Sequence, residues 1–370
     1  MAEALKNHFG PEVVRGLAKD LKKAWKGFPA DRFLEVVLDQ FSELELMDRV
    51  RHIAEGLTLT LPKDFSKARK VVFDALGPEL EKTEGHGMAP FRYLPYGYWV
   101  AKVGLGFPKE SLELQLELTK RCTSEFSVRF FLEEHYTLTL EYLEGLVSHS
   151  SPHVRRWVSE GTRPHLPWGK GVPILAKNPE GHLHLLEALR DDPHIYVRKS
   201  VANHLNDLSR HHPELLLKIC QAWGKRAGKE RAWILNQALR SLVKKGNIQA
   251  LKILGYGQEP KVDLEALQVS PCKVNKGEKV NAEWELISRE KQTQSLMVDL
   301  VVHYCRPGGK TFEKTFKLST LELLGGKRHK MKKKISLVDL STRVHHPGRH
   351  NLELLVNGRR FFLGFFDLVG

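Results

Sequence analysis

The chain has 370 residues, with 58 Lys plus Arg against 44 Asp plus Glu, for a formal net charge of +14. That length allows two domains, and the basic surplus points to a polyanionic partner such as nucleic acid. No apolar run approaches the roughly 18 residues of a membrane span, and MAEALKNHFGPEVV lacks the basic-then-apolar order of a secretory leader. The expectation is a cytoplasmic protein without a membrane partner, nucleoid-associated in a bacterial cell when bound.

From the start to about Tyr256 the hydrophobic pattern is helical. DRFLEVVLDQFSELELMDRVRHIAEGL places Phe33, Val37, Phe41, Leu44 and Leu46 at mixed three- and four-residue spacing, as one buried helix face requires. Pro and Asp in PADRF and PKDFSKARKVVFDAL suit helix starts, and Gly56, Gly77 and Gly145 suit helix ends. Three segments look repeated: SEFSVRFFLEEH, SSPHVRRWVSEG and DDPHIYVRKSVANHLNDL share a polar cluster, then Val-Arg, then an apolar helix. In the latter two a Pro is read as opening the helix; in all three Val128, Val154 and Val197 turn inward and the following Arg faces out. Their spacings of 26 and 43 residues are irregular, which suggests degenerate HEAT-type repeats, stacking as a solenoid with a concave face.

Near Gly257 the period changes. LQVSPCKVNKGEKVNAEWELI, SLMVDLVVHYC, KTFEKTFKLST, KMKKKISLVDL and NLELLVNGRRFFLGFFDL read as six or seven short strands, with Asn357-Gly358 a two-residue hairpin signal. An immunoglobulin-like sandwich is expected over 258–370, after a helical-repeat domain over 1–257. Residues 260–370 carry 20 Lys plus Arg against 12 Asp plus Glu, or +8, leaving +6 for the longer remainder. That charge concentrates in GGKRHKMKKKI, where Lys327, Arg328, Lys330, Lys332 and Lys333 are candidates for phosphate contact; a Lys-guarded sheet edge is the alternative.

Several motifs carry no chemistry. RPGGKTF has Tyr304 where a phosphate loop needs its first glycine, and it leads into a strand. His182 with His184, His211 with His212, and His345 with His346 have no further ligand at metal spacing, so neither a metal nor a cofactor is expected. The four cysteines, Cys122, Cys220, Cys272 and Cys305, form no CxxC and read as reduced thiols.

RRWVSEGTRPHLPWGKGVP, residues 155–173, stands apart because it sets Glu160 between Trp157 and Trp168 among arginines. Glu160 could pair with Arg156 or Arg163 on a helix surface, with Trp157 in the core and Trp168 over a loop. It could also be a carboxylate on a basic, aromatic-lined surface where a cationic group sits beside the indoles.

SEGTRPHLPWG, following SSPHVRRW, and then VRKSVANHLNDLSRHHPELLL resemble the AlkC branch of the HEAT-like-repeat DNA glycosylases, some of which carry a C-terminal immunoglobulin-like domain. The resemblance implies hydrolysis of the bond between deoxyribose and a cationic alkylated base in duplex DNA, such as 3-methyladenine or 3-methylcytosine, by a monomer and without base flipping. On that reading Glu160 stabilises the oxocarbenium-like sugar and positions water, with Glu125 the second carboxylate. Trp168, or else Trp157, lies against the sugar and base. Arg155, Arg156, Arg163, Lys170, Arg198 and Lys199 are the phosphate contacts, with Asn203 a weaker polar one. The family often has Arg where this chain has His165, which would make the backbone grip slightly weaker and pH-sensitive. A non-catalytic DNA-binding scaffold and a protein-docking adaptor are the rival readings. An unpaired carboxylate facing DNA would repel it, so a pure binder has no use for one.

Overall fold

The computed structural model describes residues 5–340 and 343–369. Its described residues form fifteen α-helices between Pro11 and Ile253, then eight strands from Val262 to Val369. None of the described helices is long and apolar enough to cross a membrane. The chain divides into two compact units. One runs up to His212 and takes in Ala227–Ala238; the other gathers Pro213–Arg226 and everything from Leu239 onward. The change of secondary structure falls between Ile253 and Val262, so the helices Pro213–Gly224 and Ile248–Ile253 belong to the compact unit that holds the strands.

The segment read as one helix face is three elements: a helix Ala30–Leu38, a 3-10 turn Phe41–Glu43 and a helix Leu46–Thr60. Gln40 breaks the run with a left-handed φ of 52°. The apolar spacing survives the break, because Phe33, Val37 and Phe41 all remain fully buried. Asp64 caps Phe65–Asp74, accepting from the Lys67 backbone N–H at 2.8 Å, and Gly145 ends Tyr136–Glu144. Gly56 does not end a helix. It sits inside Leu46–Thr60, where a Cβ would lie 2.3 Å from Val37 Cγ2, so the missing side chain lets two helices touch.

The repeat reading holds at its valines and fails at its arginines. Val128, Val154 and Val197 have no exposed surface. Arg129 and Arg155, expected to face solvent, are buried, and Arg198 is half-buried. Each folds back onto backbone carbonyls: Arg155 onto His149 and Ser150 at 2.7 and 3.0 Å, Arg198 onto Asp192 and Pro193 at 2.7 and 2.8 Å. These carbonyls lie five and six residues before each arginine, in the turn that precedes its helix, and a single Nη1 with its two hydrogens satisfies both. Pro152 opens its helix as expected, but Pro193 lies outside the helix Ile195–Leu208.

The strands are β1 (Val262–Ser270), β2 (Lys273–Asn275), β3 (Lys279–Ser288), β4 (Gln294–Cys305), β5 (Thr311–Leu323), β6 (Arg328–Ser336), β7 (Gly348–Val356) and β8 (Arg359–Val369). They build an immunoglobulin-like arrangement: a three-stranded sheet in the order β1-β3-β6 and a five-stranded one in the order β2-β8-β7-β4-β5. β3 alternates buried and exposed, Val280, Ala282 and Trp284 entering one core with Leu300 and Val302 of β4. Asn357 and Gly358 join β7 to β8 with φ of 43° and 85°, the double left-handed turn that Asn-Gly favours.

Gly56→Ala gains about 1 kcal/mol of helix propensity but forces a methyl into the stiff Val37 side chain. The clash should win, and a denaturant melt should show a net loss of roughly 1–3 kcal/mol; a stabilised variant would mean that the two helices can part without cost.

Candidate active site

Glu125, in the turn before the helix Val128–Glu134, and Glu160, in the last turn of Pro152–Gly161, meet through arginine. Arg156 donates to Glu125 Oε2 at 2.7 Å and lies 3.6 Å from Glu160 Oε1. Arg163 donates to the same Glu160 oxygen at 2.6 Å and grips Asp207, on Ile195–Leu208, through two nitrogens at 2.9 and 3.1 Å. The result is one ionic chain, Glu125–Arg156–Glu160–Arg163–Asp207, drawn from all three repeats. The Thr123 hydroxyl donates to Glu125 at 2.9 Å, and the Arg156 guanidinium stacks 5.0 Å over the Tyr196 ring.

Burial pushes the Glu160 carboxyl up, but the Arg156 and Arg163 charges outweigh it and hold it below the usual carboxylate range, with a Ser200 hydrogen bond adding to the effect. Burial alone would lower Arg156; Glu125 and then Glu160 raise it instead, so both partners stay charged. Glu160 is therefore a fixed, ionised carboxylate at neutral pH. The pairings to Arg156 and Arg163 are those of an ordinary helix surface, yet here they are buried, Glu160 being only 5% exposed. It is not the unpaired carboxylate that the comparison with a pure binder supposed.

Trp168 is 64% exposed on the loop after Pro152–Gly161, with a left-handed φ of 64°. A non-glycine residue in that region is strained, and surrounding contacts must hold it. Arg129 supplies them. Fully buried, it donates to the carbonyls of Gly161 and Arg163 at 3.0 and 2.8 Å and to that of Lys170 at 2.5 Å, pinning both ends of the Trp168 loop. Burial brings its guanidinium down to about 10, so it stays protonated.

The remaining expected site residues separate by burial. Trp157 has no exposed surface and is core, which leaves it no face for a sugar or base. Arg155 is buried against Asp192 at 2.5 and 3.1 Å, so it is withdrawn from the phosphate contacts. Arg163 is consumed by the ionic chain, and Arg198 by backbone carbonyls. Lys170 is exposed, paired with Glu133 and lying over the Phe130 ring; Lys199 is exposed, and Asn203 is half-buried. On β6, Arg328 pairs with Glu265 and Glu285, and Lys330 with Glu285, so two of that strand's cations are neutralised within the sheet. Lys327, Lys332 and Lys333 have no carboxylate partner among the described residues. His165 is half-buried, its ring 5.4 Å from that of His211.

Arg129, Tyr196, Asp192 and Asp207 escaped the sequence reading. Three of them stand in motifs already singled out: Arg129 is in the first of the Val-Arg pairs, Asp192 belongs to Asp-Asp-Pro-His, and Asp207 ends VANHLND; Tyr196 had no such signal.

The described residues thus form helical repeats that bury a carboxylate–arginine chain, followed in sequence by an immunoglobulin-like sandwich. Residues 263–370 match the family described as "Uncharacterised protein YhaZ, C-terminal Ig-like domain". The "Uncharacterized protein YhaZ" of Bacillus subtilis is 32% identical over 356 residues, 96% of each chain. The solved structure of Pseudomonas fluorescens alkylpurine DNA glycosylase AlkC, bound to DNA containing an abasic site analog, superposes with a TM-score of 0.93 at 33% identity, covering both chains completely. The chain belongs to the AlkC family, in the form with a C-terminal immunoglobulin-like domain.

Replacing Arg129 by Met should release the Trp168 loop. Amide hydrogen exchange over residues 161–170 should accelerate while that of the distant helix Pro11–Ala24 is unchanged; equal protection in both proteins would show that the loop holds itself.

A buried histidine pair adds a pH dependence beneath the site. His204 Nδ1 donates at 3.0 Å to the Ser159 carbonyl, and its Nε2 lies 3.3 Å from that of His182. Since a carbonyl only accepts, His204 Nδ1 carries a proton. Burial pushes His182 down to about 4 and His204 well below its ordinary value. Both rings have native values below that of the unfolded chain, which therefore binds more protons between about 4 and 6.5. Stability should be lost as pH falls through that window, by roughly 2 kcal/mol from pH 7 to 5 for His182 alone. Urea melts of His182→Gln should show a shallower fall than wild type; parallel curves would remove the pair as the cause.

Proposed function

We propose that this chain is a DNA glycosylase of base excision repair that releases cationic alkylated bases, 3-methyladenine and 3-methylcytosine, from duplex DNA. The full-length likeness to the DNA-bound alkylpurine glycosylase AlkC carries the reading. The ionised Glu160 supports it from this chain's own chemistry.

Alkylation at a ring nitrogen gives the base a positive charge, so it leaves without being protonated by the protein. What remains is an electron-poor, oxocarbenium-like sugar and a water that must attack it. An ionised carboxylate serves both needs, by charge and by orienting the water. Glu160 is the residue assigned that role, with Glu125 linked to it through Arg156 and Asp207 through Arg163. Such a chain keeps the carboxylate charged and immobile, so little reorganisation accompanies the reaction. Trp168, exposed on its pinned loop, is assigned to the cationic base and sugar, where an indole face attracts positive charge. Reaction without flipping the base into a pocket, unlike most glycosylases, makes the intrinsic lability of the cationic lesion the source of selectivity. Lys170, Lys199 and Asn203, with Lys327, Lys332 and Lys333 of the β unit, are the proposed DNA contacts, and the protein is proposed to act as a cytoplasmic monomer.

Release of free base from methylated duplex DNA tests the reading. Glu160→Gln should lose base release by on the order of 100-fold while still binding undamaged duplex as wild type does. Release by both proteins would move the chemistry to Glu125. Release by neither, with salt-dependent DNA binding intact, would make the chain a binding scaffold and overturn the proposal.

A further inference from the structure

The β unit holds a cavity of about 550 Å³ that neither the ionic chain nor the basic strand β6 accounts for. It opens where the inner face of the five-stranded sheet reaches its edge. Tyr304 of β4 and Phe312 of β5 face each other across the ladder, and Lys314 is two residues on, on the same face of β5. The opposite wall comes from Leu340, Arg343 and Val344, in the connection between β6 and β7. This volume lies within the range of small-molecule sites, roughly 300–1,000 Å³.

Three cations converge there: Arg306, Lys314 and Arg343. None of the three has a carboxylate partner among the described residues, and none of the lining residues is acidic. Nearby acids are taken elsewhere: Glu313 pairs with Arg360 and His303, and Asp339 with Lys276 and His345. Two of the cations lie on aromatic faces, Arg306 at 4.6 Å from the Phe312 centroid and Arg343 at 5.1 Å from that of Tyr304. Two polar atoms are buried without any partner, the Tyr304 hydroxyl and Arg343 Nε, in a residue 4% exposed and in one that lines the cavity. The third component is apolar. Phe312, Leu340 and Val344 are among the exposed large hydrophobic residues, at 41%, 52% and 54%, and all three line this one cavity.

Positive charge without counterions, unpartnered donors and exposed apolar walls in one concavity match a ligand with a phosphate at one end and a planar ring system at the other. Arginine forks and a lysine suit phosphate oxygens, and the apolar walls suit a base. We propose that this cavity is a binding site for a small nucleotide, a phosphate monoester carried on an aromatic base. A row of lysines on an exposed strand suits an extended backbone; a half-open concavity of this volume suits a discrete ligand. This site does not rest on the glycosylase reading.

The test is calorimetric titration of the full chain with adenosine 5′-monophosphate, beside adenosine and inorganic phosphate. The monophosphate should bind saturably at one site, each fragment about tenfold or more weaker, since both ends of the ligand contribute. Lys314→Ala, an exposed change that leaves the core intact, and Arg343→Met should each weaken it about tenfold, while Lys332→Ala on β6 should not. No saturable binding by wild type overturns the proposal, as does unchanged binding by both cavity variants. Inorganic phosphate binding as tightly as the nucleotide would reduce the site to a simple anion hole. Displacement of the nucleotide by undamaged duplex DNA would make it a backbone contact; either result overturns the nucleotide class.

Discussion

The arginine–carboxylate chain Glu125–Arg156–Glu160–Arg163–Asp207 is the constraint on which the helical unit turns. Buried charges are tolerated only when paired and hydrogen-bonded, and removing one partner strands the others at a cost of about 3–5 kcal/mol. Arg156 serves two carboxylates, and Arg163 serves two, so neither guanidinium can move without leaving a buried anion uncompensated. Lysine could not replace them, because a point ammonium cannot span two acceptors with a fixed fork. The chain also crosses all three repeats, so it fixes their packing and the position of Glu160 together. Stability and the orientation of the buried Glu160 carboxylate are here one arrangement.

A second use of arginine works on the backbone. Arg129, Arg155 and Arg198 follow equivalent inward valines, and all three end on main-chain carbonyls. In two of them the carbonyls belong to the turn that precedes the arginine's own helix, where no strand or helix ladder supplies a donor. Arg129 departs from that pattern and reaches across to the loop of the next repeat. The same residue type, at the same repeat position, has thus been turned from satisfying its own turn to holding the loop that carries a strained, exposed Trp168. Strain of that kind persists only when its surroundings over-determine it, and three hydrogen bonds from one buried side chain do so.

Period and turn chemistry made much of the fold legible. Inward valines, the shift from helical to alternating spacing, and the Asn357-Gly358 turn all report local rules that tertiary context did not override. Gly56 was misread because glycine at a helix end and glycine at a helix contact look alike in one sequence; only the neighbour, Val37, tells them apart. The arginines were misread for a related reason. A charged residue after an inward position has outward periodicity, but its long side chain can return to the backbone, and periodicity says nothing about that. Within the site, the sequence singled out Glu160, Glu125 and Trp168 through composition and resemblance. Asp207 and Tyr196 lay outside it because their roles depend on contacts between repeats about 40 residues apart.

Charge in the β unit shows why a count of lysines does not locate an anion site. β6 carries the densest basic run, yet cross-strand acids on β1 and β3 offset part of it: Glu285 faces Lys330 directly in the register, and Arg328 reaches Glu265. The cations around the cavity at the β4–β5 edge are fewer and scattered in sequence, at 306, 314 and 343, and none has an acid opposite. Potential at a concave, partly apolar surface is also less screened than on an exposed strand, because water and salt reach it less freely. Three uncompensated charges in a cavity can therefore hold an anion more firmly than a longer, more exposed row in which two of five cations are neutralised. What selects the ligand is the arrangement of charge beside apolar surface, which only the folded sheet brings together.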